Sequence, residues 1–212
     1  MAALLTLFRA EAERRELLAP GATLPPERVY ELVRDMPYGR ASAPQPQITI
    51  REWRGTCSGK HYLLQSLIEE LGFSTILIAC TSEFTAANSP WLPPELGATV
   101  EKRPVPDLHD FLRVQINTTA EGDAWMTVDA TWPLASRELG LPVNERWRRG
   151  HDMLVACDPI ELFHVPEDAD PHAFEQQLIK REIGDQAERR ERFIDALSKW
   201  LSGCSSPAIA AG

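Results

Sequence analysis

The chain has 212 residues, 43% of them hydrophobic and 25% charged, a balance that supports a packed domain and excludes wholesale disorder. Its net charge of −9, with no basic stripe, argues against nucleic acid as a partner, and no apolar run reaches membrane-spanning length. Four cysteines, Cys57, Cys80, Cys157 and Cys204, form no CxxC, and no basic region precedes the short apolar stretch at the N-terminus. A reducing, cytoplasmic setting is therefore expected, in which a special cysteine is special for its reactivity.

In chain order, residues 2–18 carry leucines at helical spacing and are stopped by Pro20 and Gly21. Pro25 and Pro26 open a second helix that Pro37 ends. Ile48-Thr49-Ile50 reads as a short extended piece. Residues 57–71 are the clearest helix, with Leu63, Leu64, Leu67, Ile68 and Leu71 in one stripe and Gly72 as its C-terminal cap. A buried strand follows at 74–80. Residues 83–106, with five prolines at 90, 93, 94, 104 and 106, read as a long loop, a lid or pocket wall. Residues 109–116 and 124–130 alternate as two strands of a hairpin around a polar turn, and Pro133 closes the second. A further strand is expected at Met153–Ala156. Residues 171–202 form a long helix broken near Gly184. The resulting map is an N-terminal helix over 1–24, a core over 25–170, a C-terminal helical segment over 171–202 and a flexible tail over 203–212. Two arginine clusters, at 146–149 and 189–192, read as solvated faces.

Cys57 lies in the turn Gly55-Thr56-Cys57-Ser58-Gly59 at the start of the best helix. Unsatisfied N–H groups and a partial positive charge at that position favour a thiolate and can hold an oxyanion. A thiol nucleophile needs a histidine, itself oriented by a third group. With the hairpin turn centred on Thr119, paired residue numbers sum to 238 and His109 faces Asp129. Their equal parity keeps them on one face, as diagonal neighbours, if the register shifts by two. Cys57, His61 and His109 could instead bind a metal, but no fourth ligand is apparent. The run Gly55–Lys60 resembles a phosphate loop, but Arg54 stands where the first glycine belongs and His61 where Ser or Thr should follow the lysine. No metal or other cofactor is expected. Cys80, in an apolar strand, reads as inert, and Cys157 and Cys204 have no evident partner.

The order Cys, His and then Asp resembles the transglutaminase-like superfamily. So do three local contexts: Trp53-Arg54-Gly55-Thr56-Cys57 opening a helix, Leu108–Val114 around His109 on a strand, and Trp125–Trp132 around Asp129 on the next. The resemblance spans roughly residues 25–135 and implies a papain-like α+β core, in which a Cys-bearing helix packs on an antiparallel sheet carrying His and Asp. It implies acyl transfer through a thioester, with Cys57 as nucleophile, His109 as general base and acid, and Asp129 as the orienting group. Peptide, amide or acyl substrates are then expected, with Trp53, Ser58 and Trp132 at the substrate. Trp53, Tyr38 and Gln47 are the candidates for a side chain completing the oxyanion hole. A silent papain-like domain serving as a scaffold is the alternative.

Overall fold

The structure, a computed structural model, describes residues 3–119 and 122–204. The terminal residues 205–212 of the expected tail and the tip of the expected hairpin lie outside these. Seven α-helices and four strands are described: α1 Leu4–Arg14, α2 Pro26–Arg34, α3 Pro46–Glu52, α4 Cys57–Glu70, β1 Thr75–Phe84, α5 Pro94–Lys102, β2 Val105–Thr119, β3 Gly122–Val128, β4 Glu161–His164, α6 Pro171–Leu178 and α7 Ala187–Cys204. The strands form one antiparallel sheet in the order β3-β2-β1-β4. The fold is α+β. Among the described residues no helix is long and apolar enough to cross a membrane.

The stripe read on α4 sets the architecture. Leu63, Leu64, Leu67 and Ile68 are fully buried against Leu77, Leu108, Leu112 and Val128 of the sheet. At about 1.5–3 kcal/mol for each fully buried side chain, this burial holds α4 against β1 and β2. Phe111, on the opposite face of β2, packs with Ile78 and Cys80. A second core joins Tyr38, Val105 and Trp132 to Phe193, Ile194 and Leu197 of α7.

Several expectations are corrected. Ile48-Thr49-Ile50 is not extended but the middle of α3. Pro46 at its first turn pre-sets the helical φ, and Thr49 and Ile50 are buried, which outweighs their β propensity. The 83–106 segment is not one long loop. β1 runs on to Phe84, and Pro93 and Pro94 start α5. Met153–Ala156 is irregular, and the fourth strand lies at 161–164. The C-terminal helix does break at Gly184, whose φ of +58 suits glycine. A π-turn at Ile179–Ile183 precedes it.

Candidate active site

The chain reaches Cys57 through a forced turn. α3 ends on Trp53, whose backbone is left-handed with φ +52, a conformation that costs a non-glycine residue on the order of 1 kcal/mol. Burial of the indole offsets this: Trp53 is 5% exposed, stacks on Phe8 at 5.4 Å and lies under the Arg15 guanidinium. Gly55 follows, bridged to Tyr38 through Gly39 N–H to Gly55 O at 3.2 Å and Gly55 N–H to Pro37 O at 3.3 Å. A β-carbon on Gly55 would sit 3.1 Å from both the Lys60 backbone nitrogen and its Cγ. Gly55→Ala is therefore expected to push the first turn of α4 away and lower stability by about 1–3 kcal/mol. Urea denaturation checks this, and an unchanged midpoint would show that the turn has slack.

His109 and Asp129 are brought together by a route other than direct pairing. The β2–β3 ladder pairs Leu112 with Val128 and Val114 with Met126, then slips at a bulge between Gln115 and Asn117. β3 ends at Val128, so Asp129 lies just beyond the ladder, and on β2 His109 is opposite Cys80 of β1. The side chains still meet, with His109 Nε2 2.7 Å from Asp129 Oδ2. Asp129 Oδ2 also accepts from Ala156 N–H at 2.8 Å, and Oδ1 accepts from Thr131 N–H at 2.9 Å. The two side chains are 5% and 1% exposed.

Two residues of α4 hold the aspartate segment in place. His61 Nδ1 is 2.8 Å from Cys57 O, and Nε2 accepts from Ala130 N–H at 2.9 Å. This fixes His61 as the neutral Nδ1–H tautomer. Burial lowers its pKa to about 4. Both ring nitrogens are thereby taken, and among the described residues no group of His, Cys, Asp and Glu could hold a metal. Lys60, fully buried, donates from Nζ to Arg34 O at 2.8 Å and Thr131 O at 2.9 Å. Burial lowers its pKa to about 7. Cys57, Lys60 and His61 thus share one helical turn, which carries the thiol and grips the residues following Asp129. From the sequence this turn reads as the seat of a reactive cysteine, with the phosphate-loop and metal readings of Lys60 and His61 found wanting. Nothing in the local sequence marks Lys60 as buried.

Cys57 Sγ lies 3.9 Å from Leu108 O and 3.9 Å from Ser58 Oγ, near enough to the His109 ring for the ring to act on the thiol. His109 Nε2 faces Asp129. Burial pushes the Cys57 thiol above its ordinary value, against the lowering effect of His109. The expected thiolate bias of the helix start is thus outweighed by desolvation. Burial also acts to lower the His109 pKa, but the Asp129 charge overcomes it and holds the ring well above 6.5. Asp129 is driven up by burial and, more strongly, down by His109, to a value well below that of an ordinary carboxylate.

A cavity of about 310 Å³ opens beside Cys57 and is lined by Tyr38, Gly55, Cys57, Ser58, Glu175 and Arg190 among others. The N-cap Thr56 makes no side-chain bond to the first N–H groups of α4. Ser58 Oγ donates to the buried Glu175 at 2.7 Å. Arg190, read as part of a solvated face, is 6% exposed and bonded through Nε to Asp107 at 2.7 Å. Arg190, Glu175 and Asp107 all reach the site from outside the residues that sequence reading singled out. Trp53 and Trp132 do not line the cavity. Trp53 packs into the core as described, and Trp132 lies behind Tyr38 at 4.9 Å and against Trp91 at 5.6 Å. Of the three oxyanion candidates only Tyr38 lines the cavity; Gln47 is exposed at the surface.

Compared with known proteins, the chain matches no family model, no curated protein and no solved structure.

Proposed function

We propose that this protein is a thiol-dependent acyltransferase or amide hydrolase with a papain-like, transglutaminase-like arrangement of its core. The observation that carries the reading is Cys57, at the start of α4 and lining a cavity, beside the His109–Asp129 pair whose side chains meet at 2.7 Å. The Cys57–His109 pair titrates as a unit. At low pH it holds two protons, and loss of one gives the reactive form, a thiolate beside an imidazolium. The sulfur attacks the carbonyl carbon of an amide, ester or thioester. Uncapped N–H groups at the start of α4 receive the oxyanion. His109 gives its proton to the leaving group, and the C–N, C–O or C–S bond breaks to leave a thioester on Cys57. Water or an amine, deprotonated by His109, then attacks the thioester and releases the thiol. Asp129 keeps the ring oriented and stabilises its charged form throughout.

The influence of the His109 ring on the Cys57 thiol favours this reading over the silent-scaffold alternative, in which bulky side chains would separate the two. Intact-mass screening of wild type and Cys57→Ala with a panel of activated esters, thioesters and amides tests the reading. A mass increase equal to the acyl group, in wild type alone, is expected. Iodoacetamide labelling of Cys57 no faster than that of Cys157 or Cys204 at neutral pH would overturn it.

A further inference from the structure

Behind His109 lies a second pair of sulfur atoms that the acyl-transfer chemistry does not use. Cys80 Sγ on β1 and Cys157 Sγ in the loop after β3 are 3.7 Å apart, although 77 residues separate them in sequence. All four cysteines are free thiols. Cys80 is fully buried. Cys157 is partly exposed and lines a surface cavity of about 170 Å³ with Ser82, Trp91 and Leu154. The pair therefore has one partner open to a small oxidant and one held in reserve. Cys80 is opposite His109 in the β1–β2 ladder and opposite Leu162 in the β1–β4 ladder. Ala156, the neighbour of Cys157, donates its N–H to the Asp129 oxygen that His109 uses.

We infer that Cys80 and Cys157 form a redox modification site, a dithiol that a hydroperoxide converts to a disulfide coupled to the Asp129–His109 pair. The Cys157 sulfur attacks the peroxide, the O–O bond breaks, and sulfenic acid and one water (or alcohol) form. The Cys80 sulfur then attacks the Cys157 sulfur, the S–O bond breaks, and a second water leaves with the thiol proton. Two thiols supply the two electrons that the peroxide takes up. Closing the gap to an S–S bond of about 2.05 Å requires roughly 1.7 Å of movement. Ladders on both sides hold Cys80, so the movement falls on the loop of Cys157 and on the Ala156 N–H at Asp129. The Cys80 contact, and after it burial, push the Cys157 thiol up. Oxidation is accordingly slow at neutral pH and quickens as pH rises.

The test is hydrogen peroxide treatment of the full chain in a Cys204→Ser background, quenched by acid, alkylated and mapped by mass spectrometry. The expected product is a crosslinked Cys80–Cys157 peptide that has lost two hydrogens, is reversed by dithiothreitol and is absent from Cys157→Ser and Cys80→Ser. Cys80 remaining fully alkylatable, or Cys157 passing to sulfinic acid without crosslinking, would overturn the site. The Cys57 alkylation rate of the crosslinked form is expected to fall roughly tenfold, because small displacements of a catalytic group are costly. An unchanged rate would overturn the coupling to Asp129. The mapped crosslink is read whether or not Cys57 turns over a substrate, so its failure is distinct from failure of the acyl-transfer reading.

Discussion

Asp129→Asn is expected to reduce acylation of Cys57 by on the order of ten-thousandfold, as when the orienting carboxylate of a triad is lost. The carboxylate accepts from three donors: the His109 ring, Ala156 N–H and Thr131 N–H. An asparagine must turn its own NH2 toward one of these groups, so a donor meets a donor or the His109 tautomer reverses. The folded state also loses a buried ion pair, which costs about 3–5 kcal/mol when one partner goes. The pH dependence follows from the two shifts. The lowered Asp129 pKa contributes stability that is present above about 4, the ordinary Asp value, and lost as pH falls through the folded value. The raised His109 pKa contributes stability that is present below about 6.5 and lost as pH rises through its folded value. The gap between wild type and Asp129→Asn should be widest between about pH 4 and 6.5. Chemical denaturation across pH measures it, and a gap that keeps widening above pH 8 would contradict the assigned pair.

Lys60→Met should reshape the alkaline side of the stability curve. The Nζ of Lys60 is buried against two carbonyl oxygens, with no carboxylate bonded to it. Its folded pKa of about 7 lies below the unfolded value of about 10.4. Between these limits the unfolded chain binds the extra proton, so stability rises with pH. Wild type is expected to gain several kcal/mol from pH 7 to about 10 through this group, a gain that Lys60→Met removes. Near pH 9 the variant is less stable, because Arg34 O and Thr131 O each lose a donor at about 1–3 kcal/mol. Parallel pH profiles for the two proteins would refute a neutral, buried Lys60.

Much of this site is legible from local pattern. The glycine-flanked turn marks Cys57, and the equal parity of His109 and Asp129 survives a register that differs from the expected one. The remainder depends on tertiary contacts that leave no local trace. Prolines at 93 and 94 signal a helix start as readily as a loop, and only the burial of Leu96 and Val100 decides for the helix. Arg190 sits among charges in sequence but meets Asp107 from 83 residues away. Ala156, which completes the Asp129 cradle, contributes only its backbone, and backbone donors are invisible to residue type. Trp53 looked like a pocket wall because it flanks Cys57. Its left-handed backbone turns the indole into the core instead.

The grip of α4 on residues 130 and 131 ties chemistry to folding. The bond from Ala130 N–H to His61 spans 69 residues, so Cys57 meets His109 and Asp129 only after the hairpin has docked on the helix. Exchange of the Ala130 and Thr131 amides with deuterium should then require undocking of that hairpin, at close to the free energy of global unfolding. A molecule whose hairpin has undocked exposes Cys57 without His109 and Asp129 beside it. On the proposed function, nucleophilic thiol chemistry is thereby confined to the native state.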